Sequence, residues 1–195
     1  MHYECMSKFK SRQLHLVDVD NLTGGPTKDL DTHKEIREWY DIHSDRKADD
    51  LCFVAMSHYS AFAATKAWEG SKVIWASGND GADLALINTV EETKFSGIKR
   101  VCLGSGDWIF KFALSPFVKN GIDVSICCRE NSLSKSLKKM ANEVTYISNY
   151  SNKNFVFLRD NESINPQECE VTPLFPSLHS QNNQSNETRR QLCHQ

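Results

Sequence analysis

A chain of 195 residues with a formal net charge of −2 fits one domain around one core and leaves no room for a second full domain. The near-neutral charge excludes a global positive field aimed at nucleic acid, so such a partner would need a local basic patch. No run reaches the ~18 apolar residues of a membrane helix, and the mixed, polar start from Met1 to Lys8 predicts neither a signal peptide nor an anchor.

Residues 1–13 read as a polar, basic lead-in. The first strand covers residues 14–20, Leu-His-Leu-Val-Asp-Val-Asp, and residues 21–27 with Gly24-Gly25-Pro26 break it as a loop. Leu30, His33, Ile36, Arg37 and Tyr40 recur near helical spacing with acids early, which predicts a helix over 28–43. The continuous apolar run at 51–56 reads as a strand buried on both faces, followed by an Ala-rich helix over 58–69 that Gly70 closes. A third strand at 72–77 turns through Gly78-Asn79-Asp80-Gly81 into a helix over 82–93. The fourth strand, 100–103, runs into Gly104-Ser105-Gly106-Asp107, and a helix over 108–119 follows. Gly121 ends that helix, residues 122–127 make a fifth strand, Ser132 or Ser134 caps a helix through Ala141, and 144–147 adds a short last strand.

This alternation predicts an α/β, Rossmann-like, mainly parallel sheet of five or six strands with helices on both faces. The domain spans 14–150. Residues 151–195 are rich in Asn, Gln, Ser, Glu and Pro and cannot bury enough to offset their ordering entropy, which predicts a disordered tail with only 155–158 apolar enough to dock. The seven cysteines are scattered without a CxxC pair, and Cys52, Cys102 and Cys127 stand inside apolar runs. They read as reduced and buried, which predicts a cytoplasmic setting.

In parallel α/β sheets the ligand site lies beyond the carboxyl ends of the strands, and Asp18, Asp20, Asp80, Asp83 and Asp107 all map to that edge. Clustered carboxylates repel unless a cation lies between them, and hard oxygen ligands suit Mg²⁺ or Mn²⁺, which can activate water against a phosphodiester. Ordinary roles compete. Asp80 and Asp83 fit a helix start, with capping favoured for Asp80, and Asp107 fits a cap after Gly106. Asp18 is harder to explain so, because an unpaired acid ending an apolar strand is costly to bury. Asp20 shares a strand face with Asp18 or already lies in the loop, and Asn21 is a turn residue or a site amide. His58 meets a phosphate or serves as a cap, and His15 is a core histidine. Arg129 leads a basic cluster with Lys135, Lys138 and Lys139 that either holds backbone phosphates or forms a solvated face. Trp75 and Trp108 stack bases or, more ordinarily at such boundaries, pack.

At these residues the chain resembles the NYN group of PIN-like metal-dependent ribonucleases. The matching pieces are Asp18-Val19-Asp20-Asn21, Gly81-Ala82-Asp83-Leu84-Ala85-Leu86, and Gly104-Ser105-Gly106-Asp107-Trp108-Ile109-Phe110, in that order between residues 14 and 147. The resemblance implies a Rossmann-like sheet and cleavage of RNA, single-stranded by preference, with a water activated by Mg²⁺ or Mn²⁺. It carries metal binding over to Asp18, Asp83 and Asp107, with Asn21 and Ser105 in support. Where many relatives place a further Asp two residues after the last of these acids, this chain has Ile109, so a second metal would need Asp20 or Asp80. Two rivals stand beside it. Asp18-Val19-Asp20 also looks like the nucleophile and acid of haloacid-dehalogenase-like phosphatases, although Lys111 stands where those expect a later acid. The other is a PIN-like module that binds RNA without cutting, or meets a protein partner or second copy through the tail. A dinucleotide fold is disfavoured because no GxGxxG follows the first strand.

Overall fold

Alternation along the first strand, β1 (Arg12–Asp18), sends Leu14 and Leu16 to one face of a sheet and His15 and Val17 to the other. The computed structural model describes residues 12–78, 80–92, 97–147 and the backbone of 159–160. After β1 come α1 (Val19–Thr23), α2 (Leu30–His43), β2 (Leu51–Ser57), α3 (Ala61–Ala67), β3 (Lys72–Ala76) and α4 (Gly81–Glu92). Then follow β4 (Ile98–Gly104), a 3-10 turn (Trp108–Phe110), α5 (Lys111–Lys119), β5 (Asp123–Arg129), α6 (Lys135–Lys138), β6 (Glu143–Ile147) and β7 (Arg159–Asp160).

The sheet order is β3-β2-β1-β4-β5-β6-β7, with the first six strands parallel and only the two-residue β7 antiparallel. This is the α/β, Rossmann-like arrangement expected, and its strand order reverses between β1 and β4. On one face Leu14, Leu16, Phe53 and Ala55 pack against Leu86 and Val90 of α4 and Leu114 of α5. On the other, Val17, Val54 and Met56 meet Ile36, Trp39 and Tyr40 of α2 and Ala64 of α3. Each fully buried aliphatic side chain contributes roughly 1.5–3 kcal/mol. Among the described residues no helix is long and apolar enough to cross a membrane.

Helix α2 starts one residue after Asp29, whose carboxylate accepts from the N–H groups of Asp31 and Thr32 at 3.4 and 3.1 Å. Shorter elements depart from expectation. The first strand stops at Asp18, and residues 19–23, expected as strand end and loop, form a helical turn. Asp18 caps it, and Gly24, at φ 85°, closes it with an N–H to the Asn21 carbonyl. Asp20 is therefore not on a strand face with Asp18. Helix α3 begins at Ala61 rather than His58, leaving His58 in the turn after β2. A 3-10 turn, capped by Asp107, precedes α5 where one continuous helix was expected. Helix α6, capped by Ser134, ends at Lys138 instead of reaching Ala141. Asn142 draws the chain away into β6 by exchanging two hydrogen bonds with the Val124 backbone, at 2.7 and 2.8 Å. The segment 155–158 lies outside the described residues.

Cys52, Cys102, Cys127 and Cys128 are free and buried, and burial pushes the Cys102 and Cys128 thiols to about 11 and about 12. They pack rather than react. His15 is the core histidine expected. Its Nδ1 lies 3.1 Å from the Tyr40 hydroxyl, which donates to the Cys102 carbonyl, and its Nε2 lies 3.5 Å from Asp50. Burial lowers its pKa from 6.5 to about 4, so it is neutral in the fold.

Candidate active site

Because β1 alternates, Asp18 points to the same face as Leu14 and Leu16, the face that α4 covers. The first turn of α4 carries Asp83 to it, and the two carboxyl groups come within hydrogen-bonding reach. Asp18 is 5 % exposed and Asp83 half-buried. Burial first, then the charge of Asp83, raises the Asp18 pKa well above 3.8. Burial raises Asp83 to about 6, with the charges of Asp107, Asp80 and Asp20 adding to it. The α4 dipole favours an anion in its first turn by only about 0.3–1 kcal/mol, and desolvation outweighs that. Burial and mutual repulsion thus disfavour two full charges on the pair unless a cation lies between them.

The neighbouring groups fix Asp18. One oxygen accepts from the Asn21 N–H at 3.1 Å and the other from the Ser105 hydroxyl at 3.2 Å. Ser105 in turn accepts from the Asp107 N–H at 3.2 Å, and the Asn21 side-chain oxygen accepts from the Gly106 N–H at 3.2 Å. The ends of β1 and β4 are thereby tied across the point where strand order reverses. Glycine is required at both 104 and 106 by space. A Cβ at 104 would lie 2.9 Å from the Tyr40 ring, and one at 106 would lie 2.5 Å from the Ser132 carbonyl oxygen. Asp107 is half-buried, and one of its oxygens accepts from the Ile109 N–H at 3.2 Å, so the capping role is real. Its charge nonetheless reaches Asp83.

The remaining candidates separate. Asp20 accepts from the Ser57 N–H at 2.8 Å with one oxygen and from the Ser60 hydroxyl with the other, which makes it the clamp of the turn after β2. Asp80 is exposed with a left-handed backbone (φ 56°), and its carbonyl accepts the Leu84 N–H at the start of α4. His58 is exposed, and its Nδ1 lies 2.7 Å from the Ser77 hydroxyl, joining the turns after β2 and β3. Arg129 ends β5 facing away from the acid pair. Its guanidinium lies against Gly24, where a Cβ would meet Nη1 at 2.2 Å, and its Nε is buried without a hydrogen-bond partner. Lys135, Lys138 and Lys139 are exposed. Trp75 and Trp108 pack only in part, 55 % and 50 % exposed, with the Trp108 ring edge-on to Phe112 at 6.2 Å; Tyr59 (55 %) and Phe62 (76 %), which the sequence reading did not single out, are exposed too. Their signal was faint, two aromatics just after a polar strand end.

The donor set decides what would fit here. Among the described residues no three His, Cys, Asp or Glu side chains are gathered closely enough to hold a metal ion between them. Two all-oxygen carboxylates whose charges repel do suit one Mg²⁺ or Mn²⁺, since Mg²⁺ is commonly held by one or two carboxylates with water and substrate phosphate completing its shell. No family model, curated protein or solved structure matches the chain.

Proposed function

We propose that this chain is a PIN-like, NYN-type endoribonuclease that hydrolyses RNA phosphodiesters with one divalent cation held by Asp18 and Asp83. The observation that carries the reading is the meeting of two carboxyls, Asp18 buried and Asp83 half-buried, at the reversal of strand order, with raised pKa values that a cation would relieve. When bound, Mg²⁺ or Mn²⁺ supplies the Lewis acidity that activates water and neutralises charge on the phosphate. The chain's own groups do the rest. Ser105 and the Asn21 N–H hold the Asp18 carboxylate in one orientation, and Asn21 fixes the Gly106 amide that leads to Asp107. Asp107 adds negative charge beside the pair and strengthens its hold on a cation.

Labelled single-stranded RNA incubated with the purified chain and Mn²⁺ tests this. Wild type cleaves, a chelator stops cleavage, and Asp18→Asn or Asp83→Asn lowers the rate by about 100-fold or more. Asp107→Asn has a smaller effect. Equal cleavage by wild type and both pair variants, or none by any, defeats the proposal. A non-cutting RNA-binding module is favoured by one observation, the lack of a gathered third ligand among the described residues, and metal-independent binding without cleavage would establish it. The phosphatase reading loses support because the acid it needs, Asp20, has both oxygens engaged by Ser57 and Ser60.

A further inference from the structure

Hydrolysis leaves three exposed aromatic rings without a role, two just after β2 and one just after β4, and each has a lysine ammonium over its face. Lys28 Nζ lies 4.6 Å from the Tyr59 ring centre, Lys66 Nζ 4.4 Å from Phe62, and Lys111 Nζ 5.3 Å from Trp108 and 4.8 Å from its neighbour Phe112. A single exposed ring needs no explanation. Three rings on the carboxyl edge of one sheet, each paired with a cation, in a chain of net charge −2, form a pattern.

We propose that these ring–lysine pairs form a stacking rim for single-stranded nucleic acid that flanks the Asp18–Asp83 pair; the proposal rests on the ribonuclease reading and assigns the residues that would hold its single-stranded substrate. Tyr59 and Phe62 follow β2, Trp108 follows β4, and both strands neighbour β1, which ends at Asp18. β2 and β4 are two strand spacings apart, roughly 10 Å, so a strand crossing from one station to the other passes over the acids. The first station is built rather than accidental. Asp20 holds Ser57 and Ser60 on either side of Tyr59, and the Ser60 hydroxyl oxygen accepts from the Thr27 N–H at 3.1 Å, which sets Lys28 above the ring.

The chemistry selects the occupant. The ammonium covers one face of each ring and leaves the other for an unpaired base, whose adjoining phosphate the ammonium meets. A duplex keeps its base faces stacked inside and cannot use the rings. The carboxylates between the stations repel phosphate, so a polyanion needs cations where these lysines stand. A protein partner would use the rings but would show no steep salt dependence set by phosphate contacts.

The test is fluorescence anisotropy of the full chain with short labelled single-stranded RNA homopolymers and a blunt RNA duplex, in chelator and across a salt series. The single strand binds more tightly than the duplex, and its affinity falls with salt. Tyr59→Ala and Trp108→Ala each weaken binding by about 5- to 150-fold, the range for losing one stacked base. Trp108→Phe retains most of it. Because these side chains are exposed, unchanged melting temperatures accompany the loss. Alanine variants that bind like wild type, or a duplex that binds as tightly as the single strand, overturn the rim. Cleavage with Mn²⁺ by alanine variants of unaltered affinity overturns the rim and spares the ribonuclease reading. Ring-dependent binding by a wild type that never cleaves supports the rim and defeats that reading.

Discussion

Replacing Asp83 by Asn should make the metal-free protein more stable at neutral pH. The folded pKa of Asp83 is raised from 3.8 to about 6, first by burial and then by the acids around it. The folded carboxyl therefore keeps a proton that the unfolded chain has already lost. Stability is full below the unfolded value and declines as pH rises to about 6, where the decline stops. The whole rise corresponds to roughly 3 kcal/mol at 1.36 kcal/mol per pH unit, and partial exposure screens about half, leaving roughly 1–2 kcal/mol. Asparagine has no such term. Urea unfolding in chelator should show Asp83→Asn more stable than wild type by that amount at about pH 7.5, with an unchanged m-value, and level with it near pH 4. Adding Mn²⁺ should stabilise wild type, by about 2.7 kcal/mol at 100 times the dissociation constant, and leave the variant unmoved. A variant equal to or weaker than wild type at about pH 7.5 would refute the claim that these carboxylates are held together against their charge.

Three further outcomes follow from the same geometry. His15, lowered to about 4 by burial, stays neutral in the fold while the unfolded chain protonates near 6.5. Stability is thus full above the unfolded value and falls by up to roughly 3 kcal/mol as pH drops toward 4, opposite in sign to Asp83. His15→Gln in the Asp83→Asn background should flatten that fall in thermal melts, and an unchanged slope would clear His15 of it. Gly106→Ala drives a Cβ to 2.5 Å from the Ser132 carbonyl oxygen and should cost about 1–3 kcal/mol in urea unfolding; an unmoved midpoint would mean the turn yields freely. Asp20→Ala strips the acceptors from Ser57 N–H and Ser60 and should cost about 1–3 kcal/mol while preserving the Mn²⁺-induced rise in melting temperature. Loss of that rise would make Asp20 a ligand.

The long elements were legible because each carries its own signal. The apolar run of β1, the helical spacing of Leu30, Ile36 and Tyr40 in α2 and the apolar run of β2 are local, and the parallel sheet follows from their succession. The bounds of the elements of a turn or two were not, because their causes lie elsewhere in the chain. Residues 19–23 wind into a helix under an Asp18 cap, and α6 stops where Asn142 bonds Val124. In the site, Asp18 beside Asp83 followed from strand ends sharing one edge. The role of Asp20 did not, since its partners stand 37 and 40 positions away. Trp75 and Trp108 were expected to pack because strand and helix boundaries usually bury tryptophan, and nothing local shows that these two lie outside.

Ser105, flanked by two glycines and fully buried, has consequences for stereochemistry at phosphorus. Its hydroxyl proton goes to Asp18 and its oxygen accepts from the Asp107 N–H, so this fully buried side chain is held as a strut and is not presented to a substrate. On the ribonuclease reading proposed above, water would attack in one displacement and invert the configuration at phosphorus when a chiral phosphorothioate diester is cleaved in isotopically labelled water. A route through an acyl phosphate on Asp18, as a phosphatase would take, needs two displacements and returns the original hand. The handedness of a single product distinguishes the two chemistries without any variant.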